Sequence, residues 1–167
     1  MASLDKMGAV LATKVLCDNI IVAEDVTVTL PDIEFITAEQ KALGTINIPT
    51  PLSNAVELTI TSVGIDNGLF NMLGLESKTL EIRFVKNLLN TSGDLEAVGY
   101  KVFAKGIPYT IPGGSVEPGA SWSGDVKISL TRYQVYKDGI EYILIDKLKN
   151  ICKINGTDYA SDIKSLL

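Results

Sequence analysis

The chain has 167 residues, 46% of them hydrophobic and 21% charged, with a formal net charge of −5 and no histidine. That apolar content excludes a disordered polymer, and the acidic balance argues against the basic surface that grips nucleic acid. The missing imidazole removes His-based triads, His general bases and the commonest metal ligand.

A chain of this length fits one domain, residues 1–167, able to bury about 70% of its unfolded surface without staples. Its mean hydropathy is positive. Two explanations stand side by side: a β-rich core of Ile, Val and Leu, or apolar surface that is covered by other subunits. Cys17 and Cys152 stand far apart and read as buried apolar packing rather than a bridge. The N-terminal stretch lacks the apolar core of a signal peptide, and no run is long enough for a membrane span.

Along the chain, Leu11 to Cys17 reads as a short first element, followed by strand-like Asn19 to Val22 and Val26 to Leu30. Glu24-Asp25 supplies the turn between them, and Pro31 ends the pairing. Residues 31–44 read as a long loop. From Asp32 to Leu43 the polar and apolar residues lack period 2, which predicts an excursion or a short helix leaving the sheet. Gly44 to Pro51 returns through Ile46 and Ile48 and is expected to stop at Pro49 and Pro51. Asn54 to Val63 alternates, with Val56, Leu58 and Ile60 on one face, as a half-buried strand does.

Ile65 to Leu75 spaces its apolar residues for one helix face, with Asp66 or Asn67 as N-cap and Gly74 as the stop. Lys78 to Lys86 and Leu95 to Lys105 read as partner strands around a loop over Asn87 to Asp94. Residues 106–124, dense in Gly and Pro, predict a long irregular connection of the kind that carries function or disorder. Trp122 near its end reads as an anchor at the sheet rim, with a ligand platform as the alternative.

Val126 to Tyr136 and Ile140 to Asp146 predict a hairpin about Asp138-Gly139, since Asp-Gly tolerates the positive φ of a tight turn. Leu148 to Ile154 is ambiguous between a further strand and a helical turn, and Asn155-Gly156 closes it. Ser161 is expected to cap a short C-terminal helix. Its apolar edge, Ile163, Leu166 and Leu167, docks either on its own domain or on a neighbour.

The expected fold is therefore mainly β: two packed antiparallel sheets, a sandwich or partly closed barrel, with a short central helix and a short C-terminal helix. About seven to nine strands are expected. Reactive constellations are missing. Pro112-Gly113-Gly114-Ser115 lacks the Lys-Ser/Thr of a phosphate loop. Asp138, Asp146, Asp158 and Asp162 recur at turns without calcium-loop spacing, and read as turn caps. No catalytic residue, cofactor or metal site is expected.

Several motifs in chain order carry a resemblance. Val28-Thr29-Leu30-Pro31, a polar excursion, a Gly-containing return, the hairpin at Asp138-Gly139, then Ile145-Asp146, Asn155-Gly156 and Asp158 resemble the major tail tube proteins of contractile phage tails and R-type bacteriocins. The resemblance implies a structural subunit that is not an enzyme. Its copies form hexameric rings that stack into a hollow tube inside a sheath. Partners implied are further copies, the sheath protein, tape-measure and baseplate or tube-initiator proteins, and DNA only in transit. Assembly in the bacterial cytoplasm and a place in a virion tail or bacteriocin particle follow from the same resemblance.

Residues expected at ring-stacking or inter-subunit contacts are Glu34, Phe35, Ile36, Glu39, Lys41, Leu43, Tyr109, Trp122, Leu166 and Leu167. The alternative reading is a β-sandwich binding module, carbohydrate-binding or adhesin-like, that uses Trp122, Tyr109 and the Gly-rich loop.

Overall fold

The computed structural model describes residues 5–63 and 70–167. Twelve strands follow in order among them: β1 (Lys6–Cys17), β2 (Ile20–Glu24), β3 (Thr27–Thr29), β4 (Phe35–Ala42), β5 (Gly44–Ser53), β6 (Val56–Val63), β7 (Lys78–Leu89), β8 (Leu95–Pro108), β9 (Ser123–Lys137), β10 (Ile140–Asp146), β11 (Ile151–Ile154) and β12 (Thr157–Asp158). A short helix, α1 (Ser161–Leu166), closes the chain. Ten strands make one antiparallel sheet in the order β12-β11-β10-β9-β8-β7-β1-β2, with β6 beside β9 and β3 beside β6; β4 and β5 form a separate two-stranded sheet.

Strand β9 folds the large sheet over on itself. Its second half pairs with β10, from Arg132↔Asp146 to Lys137↔Ile140. Its first half pairs with β6, from Leu130↔Val56 to Ser123↔Val63. Strand β8 runs along the opposite edge of both halves, from Pro108↔Ile128 to Tyr100↔Lys137. The two stretches of sheet close on one core, where Val56, Leu58 and Ile60 of β6 pack with Val15, Leu80, Ile82 and Val102. The expected two layers are present, built by one folded sheet; the second sheet is a hairpin standing off it.

Alternation was a sound guide wherever one face is buried. Val56, Leu58 and Ile60 are buried, as are Leu80 and Ile82 of β7 and Val126, Ile128 and Leu130 of β9. The turns also follow their chemistry. Asp138 (φ 49°) and Gly139 (φ 76°) make the two-residue turn between β9 and β10, and Asn155 (φ 51°) and Gly156 (φ 85°) make that between β11 and β12. Positive φ at both central residues matches the twist of the flanking strands. The ambiguous run after Asp146 resolves into a turn and strand β11, which pairs with β10. Cys17 and Cys152 are both free and buried.

Five expectations need correction. Residues 31–44 are not a loop or helix: β4 occupies most of them, paired with β5 through Ala38↔Ile48 and Gln40↔Ile46. Period 2 is absent there because it records burial of one face, and nearly every residue from Ile36 to Pro49 is exposed. Pro49 and Pro51 do not end β5, which continues to Ser53. Among the described residues strand β5 pairs only with β4, so its other edge needs no N–H donor. Ser161 is not the N-cap: Ala160 holds that position without a side-chain bond, and the Ser161 hydroxyl donates to the Asp158 carbonyl at 3.2 Å.

The strand count exceeds seven to nine because β4 and the short β12 add to it. The irregular segment is also shorter than 106–124, since Gly106 to Pro108 belong to β8 and Ser123 and Gly124 to β9.

The expected central helix begins in residues outside those described, as do its caps Asp66 and Asn67. Its C-terminal part is described: Met72 is fully buried, Leu73 packs on the core, and Gly74 turns with φ 127°.

Candidate functional site: surfaces left uncovered

The most exposed structure is the β4–β5 hairpin. It turns at Leu43, which is fully exposed, through Gly44 at φ 108°. Ile36, Ile46, Ile48 and Leu52 add exposed apolar surface. An isolated two-stranded hairpin is marginal in water, so this one depends on what holds its base and on what covers its faces. The base is held. Asn54 N donates to the Glu34 carbonyl at 2.8 Å, and the Thr50 hydroxyl donates to the Ile36 carbonyl at 2.6 Å. Phe35 and Ile33 pack on a second, smaller core of Ile145, Cys152 and Ala160. The expected contact residues divide accordingly. Glu34 and Phe35 belong to the base, whereas Ile36, Glu39, Lys41 and Leu43 lie out on the hairpin.

The C-terminal motif residues secure that base. Asp146 is buried, and its Oδ1 accepts from Leu148 N and Lys149 N, each at 3.0 Å, which fixes the turn into β11. Arg132 Nη1 stands 3.5 Å from its Oδ2. Lys147, inside that turn, sends its Nζ to the Asn54 carbonyl at 2.6 Å; partial desolvation pulls its pKa down. Asp158 Oδ1 accepts from Cys152 N (3.3 Å) and Ala160 N (3.0 Å), tying β12 and α1 to β11. Ile163 packs on this second core, while Leu166 and Leu167 remain exposed. The tail thus docks on its own domain through one residue and leaves the other two uncovered.

Sheet edges are the second open feature. Strand β1 pairs with β7 from Lys6 onward, but β2 covers its other edge only from Lys14 to Cys17. Strand β8 pairs with β7 from Leu95, but β9 reaches it only from Tyr100, with one further bond from Asp138 N to the Gly99 carbonyl. The ends of β1, β7 and β8 therefore form a three-stranded extension with free edges on both sides among the described residues. Met7, Val10, Leu11, Leu89 and Leu95 are exposed on it. Such edges are templates for pairing with another chain.

The segment from Tyr109 to Trp122 is the third. Trp122 is half-buried against the core; its Nε1 donates to the Gly113 carbonyl at 2.8 Å, and its ring lies 6.2 Å from that of Phe70. The indole is committed as an anchor. Gly114 (φ 66°) passes so close that a Cβ there would stand 2.6 Å from the indole nitrogen. Tyr109 is exposed with its hydroxyl on the Glu57 carboxylate, a bond that raises its pKa. Ile111 and Val116 project into solvent.

Uncovered edges, an uncovered hairpin and exposed apolar loops define a protein whose surfaces are made for assembly with other chains. Comparison with known families gives the particular case. The chain belongs to the phage tail tube protein FII family, whose model matches residues 10–167, and it is a tail tube structural subunit. Among solved structures it is similar to a chain of the sheath–tube complex of an extracellular contractile injection system, PVC, in its extended state. The similarity has a TM-score of 0.52 at 18% identity and covers 74% of this chain and 87% of that one. A comparison with curated proteins finds no match. No helix among the described residues is long and apolar enough to cross a membrane.

Proposed function

We propose that copies of this chain close into rings, six to a ring as the family resemblance implies, and that the rings stack into the hollow inner tube of a contractile tail or bacteriocin. The observation that carries this is the three-stranded extension of β1, β7 and β8, open on both edges. Pairing one edge with a different edge of the next copy satisfies backbone groups on both and leaves none open once the circle closes. The β4–β5 hairpin, which leaves the body with both faces bare, is the stacking element.

The sheath protein surrounds the tube in this reading, and tape-measure and initiator proteins set its length and start. The subunit is structural rather than enzymatic, acts as one domain, and assembles in the bacterial cytoplasm before becoming part of the particle. A net charge of −5 suits a conduit. Each neutralised phosphate adds affinity through counterion release, so an acidic wall lets DNA in transit slide. Negative-stain microscopy of concentrated protein, alone and with a tube-initiator partner, is expected to show rings or tubes of uniform bore. A protein that stays monomeric in both refutes the proposal.

A further inference from the structure

The hairpin needs a receiving surface, and the register of β6 locates the one that fits. Strand β5 ends at Ser53, so the hairpin leaves the body where Val56 pairs with Leu130. The other end of the same ladder is Val63↔Ser123, and there the Gly/Pro segment returns. A Cβ on Gly114 would meet the Ser123 carbonyl at 2.7 Å, which places that segment against the far end. The strand of eight residues that joins the two ends spans about 23 Å at the usual rise.

One end of the ladder thus carries a projecting hairpin tipped by Leu43. The other carries the Gly/Pro segment, in which Ile111 and Val116 are 74% and 86% exposed. Glu117 is the sole charged residue between Tyr109 and Trp122. Lys41 stands beside the hairpin tip, paired across it with Thr45, and provides a cation for Glu117. A tube built from one chain grows only if its two ends differ and fit each other, because a heterologous contact that does not close propagates.

We propose that the tip of the β4–β5 hairpin of one copy, centred on Leu43, docks on the Ile111–Val116 surface of a copy in the adjacent ring, so that the Gly/Pro segment is the axial receptor of the tube. This rests on the tube reading above.

The test is cysteine cross-linking in assembled tubes, possible because Cys17 and Cys152 are buried. Leu43→Cys and Val116→Cys are prepared singly and together, both at exposed positions. Under mild oxidation the double variant is expected to give a ladder of covalent multimers on a non-reducing gel. A mixture of the two single variants should give dimers only, and either single variant alone none. Ile111→Asp and Leu43→Asp, with far-UV circular dichroism and melting unchanged, are expected to abolish tubes while leaving single rings. Tubes of the double variant whose 43–116 pair does not cross-link, or a Leu43→Cys variant that links to itself, overturn the axial-receptor assignment alone. Absence of tubes from the wild type overturns the tube reading and this inference with it.

Discussion

Replacing Asp146 tests whether the C-terminal motif acts as a structural clamp. The carboxylate is 5% exposed. Its Oδ1 takes two backbone N–H groups, those of Leu148 and Lys149, each at 3.0 Å. Hydrogen bonds to a charged group are worth about 1.5–3 kcal/mol each. Water can reach the turn once the carboxylate is gone, since Leu148 is exposed, so the lower end of that range applies. The Arg132 contact is long, at 3.5 Å, and the arginine is 35% exposed, so it adds about 0–1 kcal/mol. Asp146→Ala should therefore cost about 3–4 kcal/mol, a fall in Tm of roughly 6–16 °C for a chain of this size. Asp146→Asn keeps an Oδ1 acceptor for both N–H groups and loses only charge assistance, so about 1–2 kcal/mol is expected.

Urea unfolding, at a dilution where light scattering shows no assembly, measures both. Limited proteolysis adds a second readout. The turn carries Lys147, whose Nζ holds the Asn54 carbonyl at the hairpin base, so the Ala variant should be cut faster between Phe35 and Ser53. An Ala variant within about 1 kcal/mol of wild type, or an Asn variant as damaging as Ala, refutes the clamp.

Gly106 lies at a register shift between β8 and β9, and a Cβ there would stand 2.3 Å from the Ser129 carbonyl oxygen. Gly106→Ala should cost about 1–3 kcal/mol by overpacking against backbone, whereas Gly99→Ala, with nothing within 4 Å, should be near neutral; thermal melts compare them. Burial pushes the Tyr133 hydroxyl up to about 12 from its ordinary 10.0. A raised pKa means that its stabilisation is complete below pH 10 and is lost as pH rises towards 12, at most about 2–3 kcal/mol. Denaturant titrations from pH 9 to 12 should show a shallower decline for Tyr133→Phe than for wild type. Cys17 and Cys152, buried and with thiol pKa values raised by desolvation, should resist a thiol reagent until denaturant is added; fast native labelling would contradict the packing described.

The sequence by itself determined the elements whose pattern is written by burial or by backbone chemistry. Strand β6 was legible because Val56, Leu58 and Ile60 must all turn inward. The β9–β10 turn was legible because Asp138 and Gly139 tolerate positive φ. The tube family was legible from motif order, and the structure gives those motifs a cause in Asp146 and Asp158, which hold the turns behind the hairpin.

Only the tertiary structure decided the rest. Strand β4 was misread because neither face of the hairpin is buried beyond its base, so nothing imposes alternation on Ile36 to Ala42. The free edges of β1 and β8 were invisible because an edge depends on where β2 and β9 begin to pair. That the hairpin and the Gly/Pro segment stand at opposite ends follows from the register of β6 on β9. Side-chain burial leaves its mark residue by residue along a chain, whereas strand neighbours and register are relations between distant segments and are set only when the sheet closes.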